Sequence, residues 1–188
     1  MAKKAQSTLP NMIVSLTAIA LVAAAALAAL NGVTKDPVAK AQQAKVERAI
    51  SAVLPPFERI ADTTVDGLVC HVGLGADGQV VGTAVEAGSD AGFGGHLQLM
   101  VGFGADGRVY GYQVIETHET PGLGAKADTW FQKGGKGDIV GSNPLEGAGL
   151  KVKKDGGEVD AISGSTITSR AVLGIVNEAA KVATRYGK

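Results

Sequence analysis

The sequence predicts an α+β protein: an antiparallel sheet built from two hairpins plus further short strands, packed with helices and preceded by one N-terminal transmembrane helix. Three observations carry this. Residues Met12 to Leu30 run for 19 positions without a charge; at 1.5 Å per residue they cover about 28 Å, close to the depth of a hydrocarbon core. The stretch from Val72 to Gly82 is echoed 29 residues later from Val101 to Gly111. Each copy sets Asp-Gly between alternating apolar segments, which signals a hairpin. Finally, Val172, Ile175, Val176, Ala179, Val182 and Ala183 recur at three- and four-residue steps, the pattern of one helix face.

Taken in order, residues 1–11 form an N-terminal tail and 12–33 the membrane anchor. A cleaved signal peptide is the competing reading, since Ala26-Leu27-Ala28 resembles a cleavage site, but the apolar run exceeds the usual length of such segments. Lys3 and Lys4 flank one side and Lys35, Lys40 and Lys45 the other, so local charge gives little orientation. Residues 34–58 are expected to make a linker helix with Val46, Ala49, Ile50, Val53 and Leu54 on one face, stopped by Pro55-Pro56. Residues 59–188 are then one domain. Its repeat predicts strands over about 66–73, 79–87, 96–104 and 108–117. Two copies are too few for a solenoid. Within the first strand Cys70 reads as a small buried apolar residue, while His71 alternates to the opposite face and reads as a surface histidine. The Gly- and Lys-rich stretch 132–160 reads as turns with short strands near 138–141 and 150–152. In the last helix Lys181, Arg185 and Lys188 fall near the C-terminus, where cations suit the helix dipole.

Composition narrows the function. The chain holds 18 Lys+Arg and 18 Asp+Glu, and no basic stripe interleaved with aromatics, so nucleic-acid binding is not expected. Its single Cys excludes an internal disulfide and any CxxC or Cys/His cluster, and no metal site is predicted. Gly73-x-Gly75 and Gly102-x-Gly104 precede hairpin turns and do not join a strand to a helix, so no dinucleotide fold is indicated.

Two segments carry the chemistry. The first is Asp160-Ala-Ile-Ser-Gly-Ser-Thr-Ile-Thr-Ser169, which places the Thr166 hydroxyl behind the turn Ser163-Gly164-Ser165 and at a helix start. Backbone N–H groups there favour a phosphate, although Ser and Thr before a helix are also ordinary caps. Ser165 is a second hydroxyl beside Thr166. The second segment is His118-Glu-Thr-Pro-Gly-Leu-Gly124, which locally reads as a loop with a type II turn across Pro121-Gly122. Gly122 and Gly124 permit close approach of the backbone to a neighbouring group, Leu123 is apolar, Thr120 offers a hydroxyl and Lys126 a positive charge. Trp130 and Phe131 read as core packing before ring stacking. His118 and Glu119 could serve as an acid–base pair but read as loop-positioning residues, and no catalytic residue is assigned.

Together these segments closely resemble the FMN-binding domain of Rnf- and Nqr-type respiratory complexes, with Ser165 standing where Ala is commonest. The resemblance spans nearly the whole chain in order: anchor, linker helix, sheet, Glu-Thr-Pro-Gly-Leu-Gly loop and Thr motif. The short length is closer to the G subunit of the Rnf complex than to the C subunit of the sodium-translocating NADH:quinone oxidoreductase. It implies FMN joined as a covalent phosphoester to Thr166 by a separate flavin transferase, with Asp160 part of the pattern that enzyme recognises. Residues Thr120, Gly122, Leu123, Gly124, Lys126, Ser163, Gly164 and Ser165 would surround the cofactor. It further implies an electron-transfer subunit of an ion-translocating oxidoreductase, working between NADH and ferredoxin with other membrane subunits. The protein would sit single-pass in the bacterial cytoplasmic (inner) membrane with the FMN domain on the outer, periplasmic side. The alternatives are an Nqr-type subunit, a stand-alone extracytoplasmic FMN-dependent reductase, or a colourless module in which Thr166 only caps a helix.

Overall fold

The computed structural model describes residues 8–185, so Lys3, Lys4 and Lys188 lie outside the described residues. The chain divides into two units, the first ending at Ala44 and the second beginning at Lys45. Helix α1, Leu9–Val53, belongs to both. Its first part exposes Leu16, Ile19, Leu21, Val22, Leu27 and Leu30. Its most apolar 18-residue window has a mean hydropathy of 2.5 and no buried residue, so α1 is long and apolar enough to cross a membrane. Helix continues through Pro37. One turn before it, the Thr34 hydroxyl donates to Leu30 O at 2.8 Å. Leu54 and then Pro55 and Pro56 follow the helix, which stops before the prolines as the sequence predicts.

The second unit is a five-stranded antiparallel meander in the order β1-β2-β3-β4-β5. The strands are β1 Arg59–Val65, β2 Leu68–Leu74, β3 Val80–Gly92, β4 Gly95–Gly104 and β5 Val109–Thr117. The internal repeat forms the β2–β3 and β4–β5 hairpins with matching geometry. In the first, Gly75 N–H donates to Gln79 O and Gly78 N–H to Gly75 O, both at 2.9 Å; in the second, Gly104 and Gly107 repeat both bonds at 2.9 Å. Gly78 and Gly107 hold φ of 75° and 76°, the left-handed backbone that glycine adopts without steric cost. Asp77 and Asp106 each accept from the amide two residues on. Even the register shifts coincide, at Gly73/Leu74 and Gly102/Phe103.

β1 lies outside the four expected strands. Asp66 and Gly67 turn it into β2 with φ of 49° and 82°, the two-residue hairpin turn that Asp-Gly favours, and Val65 pairs with Leu68. Residues 66 and 67 are therefore turn, not strand. The stretches near 138–141 and 150–152 also differ from expectation. Positive φ at Gly134 and Gly141 breaks an extended run, and the Asp138 carboxylate accepts from the Gly134 and Val140 amides. At Val152 only an isolated parallel bridge to Val159 forms.

Both sheet faces are covered. On one, α3 (Thr166–Ala183) buries Val172, Ile175, Val176 and Ala179 against Val85, Leu99, Val101 and Phe103; each large apolar side chain so buried contributes about 1.5–3 kcal/mol. On the other, Ala49, Ile50, Val53 and Leu54 meet Ala84, Met100 and Ile115. A Cβ at Gly102 would stand 1.7 Å from Val53 O, so the chain there passes directly over the strand. This second cover corrects the reading of His71. It is buried beneath that layer, opposite Ala84, with Nδ1 2.7 Å from Asp62 Oδ1. Cys70 is fully buried, as expected, and burial pushes its thiol pKa up.

Candidate functional site

The chain leaves β5 at Thr117 and turns at once. Leu123 N–H donates to Thr120 O at 3.1 Å, and Gly122 holds φ of 78°, so Thr120-Pro121-Gly122-Leu123 is the type II turn the sequence predicts. Ala125 N–H bonds the same carbonyl. A short helix α2, Ala127–Trp130, follows. It is held to β5 by Tyr112, whose buried hydroxyl donates to Ala127 O and accepts from Phe131 N–H; burial pushes the Tyr112 pKa up. Phe131 is fully buried. Trp130 donates Nε1–H to Asp160 O at 2.8 Å, so both aromatics serve packing and tethering.

A second turn leads into α3. Ser165 N–H donates to Ile162 O at 2.9 Å, with Gly164 at φ 77°. Ser169 locks it: its hydroxyl donates to Ser165 O and accepts from Ile162 N–H, each at 2.9 Å. The helical ladder begins with Ser169 N–H on Ser165 O, which leaves the amides of Thr166, Ile167 and Thr168 as outward-facing donors at the positive end of the dipole. Ser165 is the N-cap residue, yet its side chain makes no capping bond. Its hydroxyl lies 2.8 Å from Thr168 Oγ1, and Thr168 donates at 2.8 Å to Glu119 Oε1. The two sequence segments are thus joined by a buried Ser165–Thr168–Glu119 chain.

Between the two turns lies a cavity of about 380 Å³, within the range of small-molecule sites. Of the residues the sequence singles out, Thr120, Leu123, Gly124, Gly164, Ser165 and Thr166 line it. Leu123 packs toward Gly164, 3.4 Å from where a Cβ would stand. Thr166 is half-buried, and its hydroxyl has no partner among the described residues, whereas Ser165 is buried with its hydroxyl engaged. Gly122, Ser163 and Lys126 stand away from the lining, and all three are exposed. Asp160 is outside it too, its carboxylate paired with Lys153 Nζ at 2.8 Å. Four further residues complete the wall: Phe93 from the β3–β4 hairpin, Ile167, Lys154 and Glu119. Phe93 is 70% exposed, so an aromatic face stands open at the rim. His118 and Glu119 do not pair: His118 is exposed near Glu116, while Glu119 is buried against Thr168.

Gly124 shows why this loop needs a glycine. A Cβ there would fall 2.2 Å from Glu119 Oε2 and 3.0 Å from Thr168 Oγ1. Glu119 Oε2 itself is buried without a hydrogen-bond donor among the described residues.

A family model described as the FMN-binding domain matches residues 92–181, from the hairpin bearing Phe93 through nearly all of α3. The G subunit of the Na(+)-translocating ferredoxin:NAD(+) oxidoreductase complex of Acetobacterium woodii is 33% identical over 190 residues, spanning 90% of this chain and 89% of the relative. The G subunit of the ion-translocating oxidoreductase complex of Methanosarcina acetivorans is 35% identical, spanning 90% and 91%. That of Escherichia coli K12 is 33% identical, spanning 81% and 80%.

Proposed function

The chain belongs to the family of G subunits of ion-translocating oxidoreductase complexes, and from that premise we propose that it is a membrane-anchored electron carrier whose FMN is joined through its phosphate to the Thr166 hydroxyl. One observation carries the assignment: of two adjacent hydroxyls at the start of α3, Thr166 is half-buried, unpartnered among the described residues and on the cavity wall, while Ser165 is buried and bonded to Thr168.

The residues present fit the group. Three helix-start amides meet a phosphate without needing a charged side chain, and Lys154 adds a cation at the wall. Leu123, Ile167 and Phe93 supply apolar surface for a ring, and the orphaned Glu119 oxygen offers an acceptor to a ligand donor. Bound FMN supplies the redox chemistry, accepting and passing on electrons one at a time. The protein holds the phosphate, covers part of the ring and leaves an edge open to partners. A covalent bond keeps the cofactor on an outer membrane face where free FMN is not replenished. Thr166 acts as a nucleophile only during maturation, when a flavin transferase presents the flavin as a dinucleotide pyrophosphate. The Thr166 oxygen bonds to the flavin-side phosphorus as the pyrophosphate bond breaks, the nucleoside monophosphate leaves, and the hydroxyl proton is released to a base or to solvent. Asp160, at the surface through its pair with Lys153, is available to that enzyme. The other membrane subunits of an Rnf-type complex are the electron partners, and α1 is the anchor that keeps the domain among them.

The test is an intact mass of the protein co-expressed with a flavin transferase. An addition of about 438 Da, FMN less water, should map to the 160–170 peptide. Thr166→Ala should abolish it and leave the melting temperature within about 2 °C. A fully modified Thr166→Ala protein refutes the assignment.

A further inference from the structure

We propose that Glu119 orients the cofactor: its second carboxyl oxygen, Oε2, accepts a hydrogen bond from a hydroxyl of the ribityl chain that joins the phosphate of FMN to its ring. This rests on the covalent FMN reading above.

Glu119 is 8% exposed, yet only Oε1 is partnered, by Thr168. Oε2 is buried with no donor among the described residues, and buried carboxyl oxygens in native proteins almost always have one. The neighbouring hydroxyls cannot supply it. Thr168 has a single hydrogen, which it gives to Oε1, so the Ser165 hydrogen goes to Thr168. Nor can a side chain on either flank, because both flanks are glycine. Cβ atoms there would stand 2.9 Å from Oε1 at Gly92 and 2.2 Å from Oε2 at Gly124. What remains is the cavity whose wall Glu119 shares with Thr166.

Position along the helix selects the donor. Thr168, to which Glu119 is bonded, follows Thr166 by two residues within the first turn of α3. A carboxyl so close to the phosphate end is repelled by the phosphate itself. It is suited instead to the neutral hydroxyls that come next along the FMN molecule. The ring belongs with the apolar rim of Phe93, Leu123 and Ile167. A hydrogen bond to a carboxylate is among the stronger kind.

The experiment uses the full chain in detergent with Thr166→Ala, so that binding is reversible. FMN, riboflavin and lumiflavin, which is the ring without the ribityl chain, are titrated by quenching of flavin fluorescence. Glu119→Gln and Glu119→Met are then added, with melting curves checking the fold. Gln keeps an acceptor for Thr168 and places an amide NH₂ where Oε2 was. Both variants should weaken FMN and riboflavin about tenfold or more and leave lumiflavin within about twofold. Unchanged riboflavin affinity in the folded variants overturns the proposal. So does an equal loss for all three flavins, which would make Glu119 a ring contact or a purely structural residue. If the protein with Glu119 intact binds none of the three flavins, the FMN reading falls, and this inference with it.

Discussion

Gly124→Ala should be far more damaging than its size implies. The added methyl would sit 2.2 Å from Glu119 Oε2, 2.6 Å from its Cδ and 3.0 Å from Thr168 Oγ1, so either the loop or the carboxyl must move. Forcing a methyl into packed surroundings costs about 1–3 kcal/mol. Losing the buried Thr168–Glu119 bond adds about 1–3 kcal/mol. For a domain of this size, a combined loss of about 2–6 kcal/mol lowers the melting temperature by roughly 5–25 °C. Gly122→Ala is the control: its Cβ would meet nothing within 4 Å, and only left-handed strain of about 1–2 kcal/mol applies. The decisive assay is a double-mutant cycle read by thermal melts. In a Glu119→Ala background, where the obstructing carboxyl is gone, the cost of Gly124→Ala should fall by more than half. An equal cost in both backgrounds, or a Gly122→Ala protein less stable than Gly124→Ala, would refute the claim that Gly124 is required by Glu119.

Two further expectations concern pH. Asp90 lies 2.7 Å from His96 Nδ1 across the base of the hairpin that bears Phe93, and this hydrogen bond raises the His96 pKa above its ordinary value of about 6.5. The pair therefore contributes fully below about pH 6.5 and is lost as pH rises through the raised value. An NMR titration of the His96 ring should return toward about 6.5 in Asp90→Asn, and an unmoved midpoint would refute the pairing. Asp155 is held below the usual carboxylate range first by its hydrogen bonds from Arg170, at 2.7 Å each. Its contribution is present above about pH 4 and lost as pH falls through the depressed value. The stability gap between wild type and Asp155→Asn should accordingly narrow below about pH 4; a gap that widens on acidification would refute it.

Local chemistry is legible in the sequence. Asp77-Gly78 and Asp106-Gly107 announce their hairpins, Pro121-Gly122 its turn type, and the spacing of Val172 to Ala183 its buried face. Asp66-Gly67 carries the same signal but hides at the start of an apparent strand, because Ile60, Thr63 and Thr64 before it alternate too weakly to stand out. Period-two reasoning puts His71 at the surface because it assumes one wet face, and the end of α1 removes that face. What no local pattern shows is a bond between residues 49 positions apart. Thr168 to Glu119 is such a bond, and it turns Glu119 from a loop residue into a wall of the cavity. Phe93, between glycines on a hairpin tip, gives no more local signal than an exposed aromatic. Lys154, not Lys126, reaches the lining because the path of 132–160 is set by glycine turns that the sequence leaves undetermined.

The repeated hairpin gives the sheet a handle and a working end. Both Asp-Gly turns of the repeat close at one end of the strands, where Gly107 also neighbours Thr184 at the finish of α3. The hairpin tip with Phe93, the exit of β5 and the start of α3 gather at the opposite end of the strands. A fluorophore or spin label placed in the first repeat turn, where Gly78 has open space around it, would ride on the rigid sheet a full strand length from the cavity. That makes it a reporter of the domain's position, carried by a part of the molecule outside the cavity lining.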